Sequence, residues 1–145
     1  SAASDVYKRQ RVICSFVDDI YTVAEMLARQ DDINVLMVKD YIRCPKVNGY
    51  RSYHMIIEVP VFFSDRRENM RVEVQIRTIA MDFWASLDHQ MKYKKDVEDA
   101  SEISDELKEC AEVIAQTDLK MLALRRKIED RESRENPLKF DKDLP

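Results

Sequence analysis

Two short stretches carry the residue types that could do chemistry. In RVEVQIRT (71–78), Arg71, Glu73, Gln75 and Arg77 alternate with Val72, Val74 and Ile76. On a strand, that period puts the four polar side chains on one face and the apolar ones on the other. The polar row has two readings. One is a solvated sheet face, the usual meaning of alternation. The other is the wall of a cleft, with Glu73 offering carboxylate oxygen to Mg²⁺ and Gln75 and Arg77 touching substrate; Mg²⁺ is commonly held by one or two carboxylates together with substrate phosphates. The second stretch is KVNGYRSYH (46–54). It closes a segment, 39–51, in which Lys39, Arg43, Lys46 and Arg51 face a single acid, Asp40, giving +3 locally in a chain of net charge −4. Tyr41, Tyr50 and Tyr53 are interleaved or adjacent. Fixed cations suit phosphates and a flat ring suits a base, so the segment has the composition of a nucleotide site. His54 is a candidate phosphate donor, although a lone histidine on a strand is more often structural.

Gly49 lies inside that stretch and is the only glycine in 145 residues, where a domain of this length ordinarily has roughly ten. Glycine serves where φ is positive or where backbone must approach a ligand closely. Its scarcity excludes both GxxxxGK[ST] and GxGxxG, so any phosphate must be held by side chains rather than by a glycine-rich loop. The net charge gives no global nucleic-acid footprint. Cys14, Cys44 and Cys110 are far apart and odd in number, which reads as reduced thiols and a cytoplasmic setting. His54 and His89 have no zinc-ligand spacing around them. No apolar run reaches the length of a membrane span.

These residues must be positioned by a mixed set of elements. Residues 11–16 (RVICSF) form a short buried strand. Asp18 or Asp19 caps a helix whose apolar face is Ile20, Val23, Ala24 and Leu27. Strands follow at 33–42, 52–63 and 71–78, with Pro45 and Asn48-Gly49 marking a basic turn and SDRRENM a second turn. Ala80, Phe83, Trp84, Leu87 and Met91 define one face of a helix, with Trp84 a core residue. After a charged break at 94–99, a helix of about 101–134 has apolar positions at Ile103, Leu107, Cys110, Ile114, Thr117, Met121, Leu124 and Ile128. Steps of four and three make this a heptad seam, packed on its own domain, on another copy of the chain, or on both. The fold class expected is α+β, a mixed sheet flanked by helices with a long C-terminal helix.

NGYRSYH, VEVQIRT and AMDFWASLDHQMKYK, in that order and spacing, resemble the synthetase domain of the RelA/SpoT family, and within it the small alarmone synthetases, or GTP pyrophosphokinases. The resemblance covers residues 11 to about 93 and extends more loosely into the C-terminal helices. It implies a nucleotidyltransferase-like domain that transfers the β,γ-pyrophosphate of ATP to the 3′-hydroxyl of GDP or GTP in the cytoplasm, with Mg²⁺, as a homotetramer. By motif, Tyr50 stacks on guanine, Lys46 and His54 contact phosphates, and Asn48 and Gln75 lie in the guanine-nucleotide site. Glu73 is the Mg²⁺ ligand and helps to activate the hydroxyl. Arg11, Arg51 and Arg77 face ATP or its phosphates.

The family places a DxxGxR pattern ahead of Arg11. Here that stretch is VYKRQR, with Val6 at the aspartate position and Asp5 one residue away. The family's Glu-His pair is Asp88-His89. The resulting division is a non-native junction at 1–10, a partial synthetase core at 11–95, a helical region at 96–135 and a tail at 136–145, in a fragment expected to be inactive. The alternative reading is a non-catalytic module binding guanine nucleotides or single-stranded RNA, although nothing in the sequence points to RNA.

Overall fold

The computed structural model of the chain describes residues 8–92, 100–136 and 138. The Asp5/Val6 comparison, the break at 94–99 and most of the tail lie outside the described residues. The elements run β1 (Lys8–Cys14), α1 (Val17–Ala28), β2 (Asn34–Asp40), β3 (Tyr53–Phe62), β4 (Arg67–Thr78), α2 (Ile79–Lys92) and α3 (Ala100–Glu135). The strands make one sheet of order β1-β4-β3-β2. β1 runs parallel to β4, while β3 is antiparallel to both β4 and β2. The expected α+β architecture is therefore present.

The sheet has two unlike faces because its strands alternate in register. Val72, Val74 and Ile76 of β4 meet Met55 and Ile57 of β3, Cys14 of β1, Ile20 and Ala24 of α1 and Met81 of α2 in the apolar core. The opposite face is polar. Cross-strand register lines up Arg11, Gln75, His54 and Lys39 in one row, and Arg9, Glu73, Ile56 and Met37 in the next.

Two strands are longer than their hydrophobicity suggested. β1 begins at Lys8, where polar residues are held by parallel pairing with Val72, Glu73 and Val74. β4 begins at Arg67, since the β3–β4 hairpin extends past the core as an exposed ladder closed by Phe63 N–H donating to Arg66 O at 2.8 Å. Ladder hydrogen bonds, not burial, carry these ends. Asp18 and Asp19 do not cap α1. Phe16 occupies the N-cap without a side-chain bond, and the two aspartates instead pair with Arg126 and Arg125 of α3.

α3 braces the domain, though not along the expected seam. Its buried residues are Ala111, Asp118 and Leu122. Ile103, Leu107 and Ile114 are half-buried, whereas Cys110, Thr117, Met121, Leu124 and Ile128 are exposed. The contact stripe is displaced around the helix because small Ala111 and polar Asp118 make the closest approaches. On α2, Trp84 and Met81 are buried while Phe83 and Met91 are exposed.

Gly49 explains itself in this frame. It has φ +98° and closes a turn by donating its N–H to Lys46 O at 2.9 Å. A Cβ there would lie 2.8 Å from Ala111 Cβ. The backbone therefore needs glycine for its turn and for its approach to α3.

Candidate active site

The polar sheet face, the 46–50 turn and α2 enclose a cleft of two adjoining compartments, of about 930 and 330 Å³. Arg9, Lys46, Tyr50 and Gln75 border both. Arg11, Asn48 and Arg77 line the larger one, with Asp88 and His89 from α2. His54 and Glu73 line the smaller one, with Lys39 and Tyr41 from the end of β2 and the loop after it. Of the residues expected in the site, all but Arg51 border this cleft.

Arg51 points elsewhere. Its Nη1 donates to Ala111 O at 2.7 Å and lies 3.4 Å from Gly49 O. It fastens the turn to α3, on the side away from the cleft. Asn48 is partly occupied by local structure, as its Oδ1 accepts the Tyr50 N–H at 3.0 Å. This Asx turn aims Tyr50 across the sheet.

Lys46 Nζ sits 4.8 Å from the centre of the Tyr41 ring and 5.1 Å from that of Tyr50. Tyr41, Tyr50 and His54 meet edge to face, with centroids 5.2 to 6.1 Å apart. The result is an aromatic wall carrying Lys46 and, 5.6 Å from the centre of the Tyr50 ring, the Arg77 guanidinium.

Arg77 is 7% exposed and spends its donors inside the protein. Nε donates to Ser52 Oγ at 3.3 Å, Nη1 to Asp82 Oδ1 at 2.9 Å, and Nη2 to the Tyr50 hydroxyl at 2.9 Å and to Gln75 Oε1. Arg11 shares the same Asp82 oxygen at 3.0 Å. Arg11 remains largely exposed at the cleft mouth.

Glu73 sits at the junction of the compartments. Its Oε1 accepts from Gln75 Nε2 at 2.9 Å and faces His54 Nδ1 at 3.5 Å, and its Oε2 accepts from Arg9 Nε at 3.1 Å. Burial pushes the carboxyl up, but the Gln75 hydrogen bond and the Arg9 charge outweigh it, and Glu73 is held below its ordinary range. It is ionised at neutral pH. Burial pushes His54 down, and Arg77, Lys46 and Arg9 add to this against the pull of Glu73, so its pKa falls to about 4. His54 is neutral at pH 7.

No group of three or more His, Cys, Asp or Glu capable of holding a metal occurs among the described residues. An ionised carboxylate set among cations suits a different mode, in which a hard cation arrives with substrate phosphates and takes one protein ligand.

Arg9 and Asp82 were not singled out in the sequence. Arg9 falls in the segment set apart as a junction. Its spacing of two from Arg11 on the strand joined to β4 was the available signal. Asp82 is in the first turn of α2, and only the fold brings it against Arg77 and Arg11.

The cleft on this mixed sheet is rich in cations and combines the ionised Glu73 carboxylate with an aromatic wall, a composition that suits a nucleotide phosphate. The profile for the region found in RelA / SpoT proteins matches residues 4–98, and the chain belongs to that family. It is 50% identical over 119 residues to GTP pyrophosphokinase YwaC of Bacillus subtilis (strain 168), covering 82% of this chain and 57% of that protein. It is 36% identical over 120 residues to GTP pyrophosphokinase YjbM of the same organism, covering 83% and 57%. The crystal structure of small alarmone synthetase 2 from Bacillus subtilis superposes with TM-score 0.77 at 50% identity, over 81% of this chain and 65% of that one. That of small alarmone synthetase 1 from Bacillus subtilis, bound to its product pppGpp, gives 0.74 at 35% identity, over 82% and 60%. The chain thus spans a little over half the length of these two curated relatives.

Proposed function

We propose that this chain is the nucleotide-binding core of a (p)ppGpp synthetase, acting as a GTP pyrophosphokinase on ATP and GDP or GTP. The observation that carries this reading is the ionised Glu73 carboxylate, set between a cation-bearing aromatic wall and the arginines of β1. The names of the relatives support the same reaction. In it, the 3′-oxygen of the guanine nucleotide bonds to the β-phosphorus of ATP. The bond from that phosphorus to the oxygen bridging to the α-phosphate breaks, AMP leaves, and the hydroxyl proton is lost.

Each residue has a task in this chemistry. Tyr50 stacks on guanine, with Asn48 fixing its approach and Gln75 bordering the nucleotide. Lys46 holds phosphate, and His54, neutral at pH 7, orients groups without adding charge. Arg9 and Arg11 face the ATP phosphates, where developing charge needs fixed cations. Arg77, engaged by four internal partners, supports this wall. Glu73 holds the attacking hydroxyl in line and is the chain's own ligand for Mg²⁺. That ion, when bound, neutralises phosphate charge and polarises the transferred phosphorus.

The intact enzyme is a cytoplasmic homotetramer on this reading. The exposed apolar residues Val113, Met121, Leu124 and Ile128 on α3 support self-association. No described helix is long and apolar enough to cross a membrane.

The test is chromatography of ATP, GDP and Mg²⁺ incubated with this chain, and with the chain extended upstream by the corresponding residues of YwaC. AMP and ppGpp are expected from the extended chain and lost in Glu73→Gln. Folded protein that binds GDP but yields product in neither form would overturn the synthetase in favour of a binding module.

A further inference from the structure

Five side chains of the cleft are linked into a ring by four hydrogen bonds and one polar contact, that of His54 with Glu73. Arg77 Nη2 donates to the Tyr50 hydroxyl at 2.9 Å and to Gln75 Oε1. The Tyr50 hydroxyl lies 2.8 Å from His54 Nε2. His54 Nδ1 faces Glu73 Oε1 at 3.5 Å, and Gln75 Nε2 donates to the same oxygen at 2.9 Å. Both branches therefore begin at Arg77 and end at Glu73 Oε1.

On the Gln75 branch the direction of each step follows from what each group can do. A guanidinium only donates and an ionised carboxylate only accepts. Gln75 must turn its carbonyl to Arg77 and its amide to Glu73. On the other branch, the Tyr50 oxygen accepts from Arg77 and can give its one proton to His54 Nε2. That nitrogen is then an acceptor, and the proton of the neutral ring lies on Nδ1, toward Glu73. The opposite tautomer would set the Nδ1 lone pair against the carboxylate and leave the Tyr50 proton without a directed acceptor in the ring. The side chains are poorly free to escape this choice: Arg77 is 7% exposed, and the side chains of His54 and Glu73 are 14% and 17% exposed.

We propose that Arg77 is a positioning residue that, through the Tyr50 hydroxyl and the Gln75 amide, fixes His54 as its Nδ1–H tautomer and fixes the orientation of the Glu73 carboxylate. The role of this arrangement in pyrophosphate transfer rests on the reading above. The guanine platform and the carboxylate that orients the hydroxyl are then two stations on one ring, so a base seated on Tyr50 bears on Glu73 without touching it. Arg77 acts at a distance from the substrate, by setting the donors and acceptors that others present.

Nitrogen-15 NMR of ring-labelled histidine in the intact 145-residue chain tests this at neutral pH without requiring turnover, with the His54 signals assigned by comparison with His54→Gln. The expected wild-type spectrum shows protonated Nδ1 and unprotonated Nε2 at His54, the reverse of the tautomer favoured by free neutral histidine in water. Tyr50→Phe removes only the hydroxyl and keeps the stacking face. It is expected to move the two nitrogen shifts toward the Nε2–H pattern. Arg77→Lys, which keeps charge but loses the fork, is expected to move them in the same direction by a smaller amount. A wild-type His54 protonated on Nε2, or the same His54 shifts in wild type, Tyr50→Phe and Arg77→Lys, would overturn the proposal. A chain showing the expected shifts but no GDP affinity would leave the ring standing and remove the functional reading.

Discussion

Gly49 and Ala111 are so close that a methyl group on the glycine would stand 2.8 Å from the alanine Cβ. The contact joins the turn that carries Tyr50 to the middle of α3. Arg51 reinforces it from the loop just before β3 by donating to Ala111 O. The 46–50 turn and the C-terminal helix are therefore packed as one unit.

Gly49→Ala is expected to lower stability by about 2–3 kcal/mol, from the positive φ and the overlap together. Ala111→Gly in that background removes the overlap but not the φ cost, and should recover part of the loss. Urea melts of the two single variants and the double variant measure the coupling. Additive effects would show that the turn and helix do not share this contact.

Thr78 joins three elements in a similar way. At the end of β4 it accepts the Met81 N–H of α2 at 3.1 Å and donates to Asp118 Oδ2 of α3 at 2.7 Å. Both residues are buried, Thr78 completely. Burial pushes the Asp118 carboxyl up, against the Thr78 hydrogen bond and the Arg51 charge. Thr78→Val keeps the shape, loses the cap of α2 and strands the carboxylate. A loss of about 2–3 kcal/mol is expected at neutral pH, and it should shrink in Thr78→Val/Asp118→Asn, where no charge is left buried. Calorimetry of the two variants decides the point.

His54 makes stability depend on pH in one direction. Its folded pKa of about 4 lies below the ordinary histidine value near 6.5. Between these values the unfolded chain binds more protons than the folded one, so stability rises with pH through this window and is lost as pH falls from about 6.5 toward 4. The effect is about 2 kcal/mol once partial exposure of the ring is allowed for. The slope should be largely absent in His54→Gln, which has no proton to gain. Thermal melts between pH 4 and 7 without added Mg²⁺ compare the two. Equal slopes would place the titration on other groups.

Much of this site was legible because strand alternation is local. The period of two put Glu73, Gln75 and Arg77 on one face, and the cations and rings of 39–54 marked the adjoining wall. What could not be read was which partner each side chain takes. Arg51 and Arg77 look equivalent in sequence, yet Arg51 turns to the α3 backbone and Arg77 is enclosed by Ser52, Asp82, Tyr50 and Gln75. The start of β1 was missed because Lys8, Arg9 and Gln10 are polar, and their strand is specified by a ladder to residues some sixty positions away. The α3 seam was displaced because apolar spacing gives no weight to Ala111 or Asp118, the residues that make its tightest contacts.

That displacement leaves an apolar stripe facing outward. Met121, Leu124 and Ile128 are 48%, 44% and 57% exposed, while Leu122 and Asp118 on the neighbouring stripe are buried against the domain. If this outer stripe holds copies of the chain together, Leu124→Glu/Ile128→Glu buries charge in the interface and should shift the species seen by sedimentation from oligomer to monomer. The domain itself should keep its helix content, since neither side chain belongs to the core. Retention of the oligomer would place the interface elsewhere. Loss of secondary structure would show that the stripe supports the fold itself.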